Sequence, residues 1–187
     1  LFVSHPEVVV DAAVPVPRWH LKDSAIARLR RFAASGAVAG VSGVWASSEC
    51  KAIEAAGILA AHRGLGVQVR ADLGENDRSA TGFLPPPEFE RMADAFFARP
   101  EESVRGWERA IDAQARIVAA VRAIAAAHPG GGDILVVSHG AVGSLLRGHL
   151  LGLPISRALD QPGQGCWFRV ALPGWRLRDP AWQLLPA

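Results

Sequence analysis

Short apolar runs alternate along this chain with longer segments in which apolar residues recur every three or four positions. Residues 1–4, 41–46, 67–70 and 134–137 have the length and apolar, largely β-branched character of buried strands. Helical patterns lie between them. One covers 23–36, with Asp23 or Ser24 as N-cap, Leu29 and Phe32 on one face, and Gly36 as the stop. A second, Ala-rich, covers 48–63 and ends at Gly64. The longest runs over 103–128, where Trp107, Ile111, Val118, Val121 and Ala125 keep helical spacing and "HPGGG" ends the pattern. Pro86 or Pro87 suits the first turn of a helix carrying Phe89, Met92, Phe96 and Phe97, an aromatic stripe read as core. Another helix spans about 141–151, and residues 166–172 and 175–178 read as a hairpin around Pro173-Gly174. The alternation predicts an α/β fold, a three-layer α/β/α sandwich on a mostly parallel mixed sheet of about six strands. Its 187 residues fit a single domain, 1–187.

One stretch breaks the pattern. Residues 72–87, "DLGENDRSATGFLPPP", are polar, rich in turn formers and without periodicity. A loop of that length without structure of its own is usually functional or disordered. We therefore expect 72–100 to form a lid or wall over a site, with Trp19, Phe83 and Phe89 as candidates for an apolar side of it.

Composition narrows the partners. Half the residues are hydrophobic, a fifth are charged, and the net charge is +2. The chain has 18 Arg and 2 Lys, dispersed rather than clustered. That argues against nucleic-acid and polybasic membrane binding. No apolar run reaches membrane-spanning length, and the apolar start lacks the basic n-region of a signal peptide. Two isolated cysteines, Cys50 and Cys166, form neither a disulfide framework nor a zinc pattern. Reduced thiols and a cytoplasmic location are the expectation, with no cofactor. The hairpin bearing Trp167 and Trp175 is the edge on which a homodimer would pair.

The chemistry should sit beyond the carboxyl ends of the strands, where open α/β sheets bind ligands. Two Ser-His phrases lie there: "LFVSHPE" at 1–7 and "LVVSHGA" at 135–141. His139 precedes a helix whose free N–H groups suit an anion, and Gly140 lets a ligand approach the backbone. A single histidine at a strand end is more often a hydrogen-bonded boundary residue; two shift the balance toward a site. A pair of this kind serves a metal, a nucleophile with its stabiliser, or an acid with its base. Glu7 and Glu75 are the carboxylates available as a third metal ligand, but no metal-ligand spacing accompanies them. Ser47, Ser48 and Lys51 straddle a strand-to-helix turn. A lysine in the first turn of a helix opposes the dipole unless an anion lies nearby.

The order of these pieces resembles the histidine phosphatase superfamily, with its phosphoglycerate mutase-like fold. The pieces are strand–His, "WASSECKAIEAA" at 45–56, "LGE" at 73–75 and "ILVVSHGAVGSLL" at 134–146. The resemblance runs from about residue 1 to 172, and the last piece is its most specific. It implies that His5 is the nucleophile and is transiently phosphorylated. It also implies that His139 and Lys51 hold the phosphoryl group, and that Glu75 protonates the leaving oxygen. The substrate implied is a small phosphorylated molecule.

The first motif departs from the family's Arg-His-Gly. Ser4 stands where an arginine would grip phosphate, and offers one hydrogen bond without charge. Pro6 removes a backbone N–H and biases His5 toward extended backbone. Lys51 replaces a planar guanidinium with a point charge. Arg18 and Arg78 are the candidate replacements. The leading reading is a metal-independent phosphatase. The alternatives are a phosphate-binding or regulatory module that has lost turnover, a mutase, for which the chain is short, and a metal-dependent hydrolase using His5, His139 and Glu75.

Overall fold

The structure, a computed structural model, describes residues 1–179 and 181–187. In chain order the strands and helices are β1 (Phe2–Ser4), α1 (Asp23–Ala34), β2 (Val41–Ser47), α2 (Cys50–Arg63), β3 (Val67–Arg70), α3 (Pro86–Ala98), α4 (Ala110–Ala127), β4 (Asp133–Ser138), α5 (Gly140–Leu151), β5 (Cys166–Phe168), β6 (Val170–Ala171), β7 (Arg176–Leu177) and β8 (Gln183–Leu184). The main sheet runs β3-β2-β4-β1-β5-β8, and β6 pairs with β7 separately. The four strands from β3 to β1 are mutually parallel, whereas β5 and β8 join antiparallel.

Strict alternation on the central strands divides the interior in two. Phe2, Trp45 and Val136 face a core shared with α3, α4 and α5; Val3, Val44, Ala46, Leu135 and Val137 face one shared with α1 and α2. Strands buried on both faces read as continuous apolar runs because each face needs its own apolar residues. The result is the expected three-layer α/β/α sandwich with a six-stranded mixed sheet.

Five expectations change. The longest helix begins at Ala110, not at residue 103. Arg105 (φ 49°) and Gly106 (φ 84°) take left-handed backbone, which breaks helical propagation. Trp107 lies outside the helix, its indole packed on Phe89 and Phe96 and donating to Thr81 Oγ1 at 2.8 Å. Once Trp107 is removed from the pattern the buried face is Ala113, Ile117, Val121 and Ile124, and Ile111 is exposed. At the first helix, Lys22 rather than Asp23 or Ser24 is the N-cap. The second helix starts at Cys50 rather than Ser48. The hairpin around Pro173-Gly174 pairs only β6 with β7; the preceding β5 enters the main sheet beside β1. Because β8 covers the outer side of β5, the Trp167 strand is not an open edge for a second copy.

Arg28 ties the two ends of the chain together. It pairs with Glu7 and donates to the carbonyls of Gln164 and Leu185. Glu7 is thereby committed to the fold and lies outside the cluster described below. Among the described residues no helix is long and apolar enough to cross a membrane.

Leu135 is fully buried at the centre of the sheet. Leu135→Ala is expected to reduce unfolding free energy in urea by about 2–5 kcal/mol. A loss below about 1 kcal/mol would contradict the placement of β4 at the heart of the fold.

Candidate functional site

Pairing of β1 with β4 brings the two histidines together. The strands are parallel with Ser4 opposite Ser138, so the next residue on each is a histidine. The His5 N–H donates to the Ser138 carbonyl at 3.1 Å, carrying the ladder one step beyond the strands. The imidazole centroids lie 5.1 Å apart with the rings at 74°.

Each ring has a hydrogen-bond partner, and for His5 the partner fixes the proton. His5 Nδ1 lies 2.8 Å from the carbonyl oxygen of Pro6, an acceptor only, so Nδ1 carries the proton and Nε2 keeps its lone pair. Burial, reinforced by the cations Lys51 and Arg78, lowers the His5 pKa to about 4 despite the Pro6 hydrogen bond and the Glu49 charge. His139 is fully buried, and burial drives its pKa well below the usual imidazole value. Its Nε2 lies 2.8 Å from Ser47 Oγ and 3.3 Å from Glu49 Oε1. Its Nδ1 has no hydrogen-bond partner among the described residues, which suits a lone pair better than a stranded N–H.

Glu75 lies against the start of the helix that follows His139. Its carboxylate accepts from the N–H groups of Ala141 (3.3 Å) and Val142 (3.1 Å), at the start of α5. Burial raises its pKa, with Glu49 adding to the effect and Arg78 and the backbone N–H groups opposing it. The irregular loop that carries it is held by Arg116, which donates to the carbonyls of Asp72, Gly74 and Glu75 and pairs with Glu108. Arg78 stacks over Phe89 at 5.1 Å and Trp107 at 5.6 Å, and its charge bears on His5, His139 and Glu75. Phe83 meets Trp19 edge-on at 5.7 Å.

The remaining candidates divide. Lys51 is buried, 3% exposed, and donates to Val16 O at 2.9 Å and to Glu49. Gly140 is buried as the first residue of α5, and a Cβ there would come within 2.4 Å of Gln161 Nε2. The buried Ser4 hydroxyl donates to Gln161 Oε1 at 2.6 Å and accepts from Cys166 N at 3.0 Å, so it joins β1 to the β5 segment. Arg18 is exposed at the end of a 3-10 turn (Val16–Arg18), and among the described residues no contact joins it to the histidines.

Glu49 was missed from the sequence. It contacts Lys51, His139 and, at 3.2 Å, the N–H of Glu75. Burial works against its ionisation, yet His139, Lys51 and the Glu75 N–H hold its pKa at about 2. The available signal was the spacing Glu-x-Lys after a buried strand, since a buried lysine requires a counter-charge. Gln161 was missed too. It lies in a loop more than twenty residues beyond His139, and nothing local marks it.

Two consequences are measurable. In a proton NMR titration the His5 imidazole should change charge near pH 4; a midpoint near 6.5 would contradict the buried, cation-flanked setting. The unfolded chain takes up histidine protons near pH 6.5, where folded His5 and His139 do not, so acid favours unfolding. Stability in denaturant should therefore fall as the pH drops from about 6.5 toward 4, with Glu49 adding its own loss only below about 4.5. A flat profile over the upper window would contradict neutral buried histidines.

Comparison with known proteins places this geometry. The structure superposes on a mycobacterial hydrolase with a TM-score of 0.79 at 20% identity, covering 99% of this chain and 97% of that one. A mycobacterial glucosyl-3-phosphoglycerate phosphatase gives 0.78 at 20% identity, with 98% and 97% covered. The Bacillus stearothermophilus protein YhfR gives 0.76 at 20% identity, with 96% and 95% covered. These likenesses establish the fold. No curated protein matches the chain. The family model for branch 1 of the histidine phosphatase superfamily matches residues 16–177, starting downstream of His5 and including Lys51, Glu75 and His139. With most of its length matched by that model and its fold shared throughout, the chain belongs to the histidine phosphatase superfamily.

Proposed function

We propose that this protein is a metal-independent phosphatase that hydrolyses a small phosphomonoester through a phosphohistidine on His5. The observation that carries the reading is the pair itself: a half-buried, neutral imidazole with a free Nε2, 5.1 Å from the fully buried His139. The raised pKa of the Glu75 carboxyl at the same strand ends supports it.

The residues support a two-step displacement. In the first step the His5 Nε2 lone pair attacks phosphorus and the bond from phosphorus to the ester oxygen breaks. The departing oxygen takes the proton of Glu75, whose elevated pKa suits a general acid. In the second step water attacks the phosphohistidine while the Glu75 carboxylate removes its proton. The P–N bond breaks, inorganic phosphate leaves and His5 returns neutral. The His139 imidazole, the Lys51 ammonium and the Arg78 guanidinium are the polar and charged groups that would meet the transferring oxygens. Phosphoryl transfer depends mainly on such positioning and charge stabilisation. Segment 72–100 supplies Glu75 and Arg78, and with Trp19 walls the site.

Family membership and the likeness to a glucosyl-3-phosphoglycerate phosphatase support a phosphorylated small molecule as substrate. The commitment of Ser4 to Gln161 and Cys166 favours a second reading, a phosphate-binding module without turnover, because no arginine occupies that place.

Steady-state hydrolysis of an aryl phosphate separates the two. Turnover should persist in chelator, vanish in His5→Ala and fall about 10²–10⁴-fold in Glu75→Gln. Unchanged turnover in His5→Ala, or loss of turnover on chelation, would overturn the proposal.

A further inference from the structure

A site for a phosphoryl group between His5 and His139 needs positive charge and donors. Three anchors of that kind lie beside the pair, and each already holds a carboxylate. The Lys51 ammonium is bound by Glu49 and by the Val16 carbonyl. His139 Nε2, hydrogen-bonded to Ser47 Oγ at 2.8 Å, also faces Glu49 Oε1 at 3.3 Å. The free N–H groups at the start of α5 are taken by Glu75. Glu75 has a role in the chemistry proposed above; Glu49 has none. Its side chain is 13% exposed, at the turn between β2 and α2, and it spans Lys51, His139 and the Glu75 N–H at once. Among the described residues Lys51 and Arg78 are the cations whose charge bears on both histidines, and Glu49 neutralises the first.

We propose that Glu49 is a built-in occupant of the phosphate pocket: its carboxylate fills the contacts with Lys51 and His139 that an incoming phosphoryl group requires, and binding of a phosphorylated ligand exchanges one anion for the other. The resting site is then close to neutral and discriminates against free dianions. A ligand must bring enough additional contact, in the apolar wall around Trp19 and Phe83, to displace a tethered competitor. Specificity of this kind comes from a repulsive element as well as attractive ones. The carboxylate is displaced rather than protonated, because the Lys51 ammonium and the Glu75 N–H hold it ionised. This inference rests on the reading of the site as a phosphate site.

The test uses inorganic phosphate as probe and binding, not turnover, as readout. Calorimetry should show Glu49→Gln binding phosphate about tenfold or more tightly than the wild type. Equal or weaker binding by the folded variant overturns the proposal. Should the variant fail to fold, the wild type carries the test through the ¹³C signal of the Glu49 carboxyl carbon. That signal should move on phosphate binding as Lys51 and His139 are released, and phosphate binding without any movement overturns the proposal. Absence of phosphate binding by any folded form also overturns it. Failure of the phosphatase reading looks different: tighter phosphate binding by Glu49→Gln without any covalent phosphohistidine removes that reading and supports this one. A phosphohistidine together with unaltered phosphate affinity does the reverse.

Discussion

The parallel pairing of β1 with β4 is the constraint on which the rest of the site depends. Two strands separated by more than a hundred residues of sequence lie side by side with Ser4 facing Ser138. That register sends two histidine backbones off the same end of the sheet in step. A slip of one residue would move every side chain of β1 to the opposite face and exchange Phe2 and Val3 between the two cores. The apolar requirements of the two layers thus set the geometry of the histidine pair. Phe2 stacks on Phe168 at 5.1 Å in one layer, while Val3 is fully buried in the other.

Around this frame the charges are arranged with little surplus. Burial and flanking cations keep both histidines neutral, which leaves a nucleophilic nitrogen but no imidazolium charge for a phosphate. Lys51 is matched by Glu49, and Arg78 rests on aromatic faces that leave its charge directed at the pair. A protein with an arginine before His5 would have a planar cation in place of the Ser4 hydroxyl. Here that volume belongs to a neutral hydrogen-bonded join between Ser4, Gln161 and Cys166. The polar join strengthens the contact between β1 and β5 while removing charge from the site.

Much of this was legible in the sequence, for identifiable reasons. β3 falls on the predicted residues 67–70, and α2 ends at Gly64, whose left-handed backbone (φ 64°) favours glycine. His5, His139 and Glu75 were legible because each directly follows a buried strand or lies in a loop with no periodicity of its own. The start of α4 was not, because Trp107 completes a helical pattern that Arg105 and Gly106 interrupt through backbone conformation alone. β8 was missed because two residues carry too little pattern; its pairing with β5 depends on tertiary placement. The partners of Ser4 were not legible because Gln161 and Cys166 lie more than 150 residues away in sequence. Glu49 was hidden for a related reason: its Lys51 contact is local, but those with His139 and the Glu75 N–H come from two other segments that only folding brings to it.

The account stands or falls on whether His5 takes up a phosphoryl group. Rapid quenching of the protein during turnover of an aryl phosphate, followed by peptide mapping, reads this directly. An acid-labile, base-stable phosphoryl group on the peptide containing His5 is the predicted result. A phosphoryl group found on another residue, or hydrolysis that proceeds with His5 never modified, would contradict it.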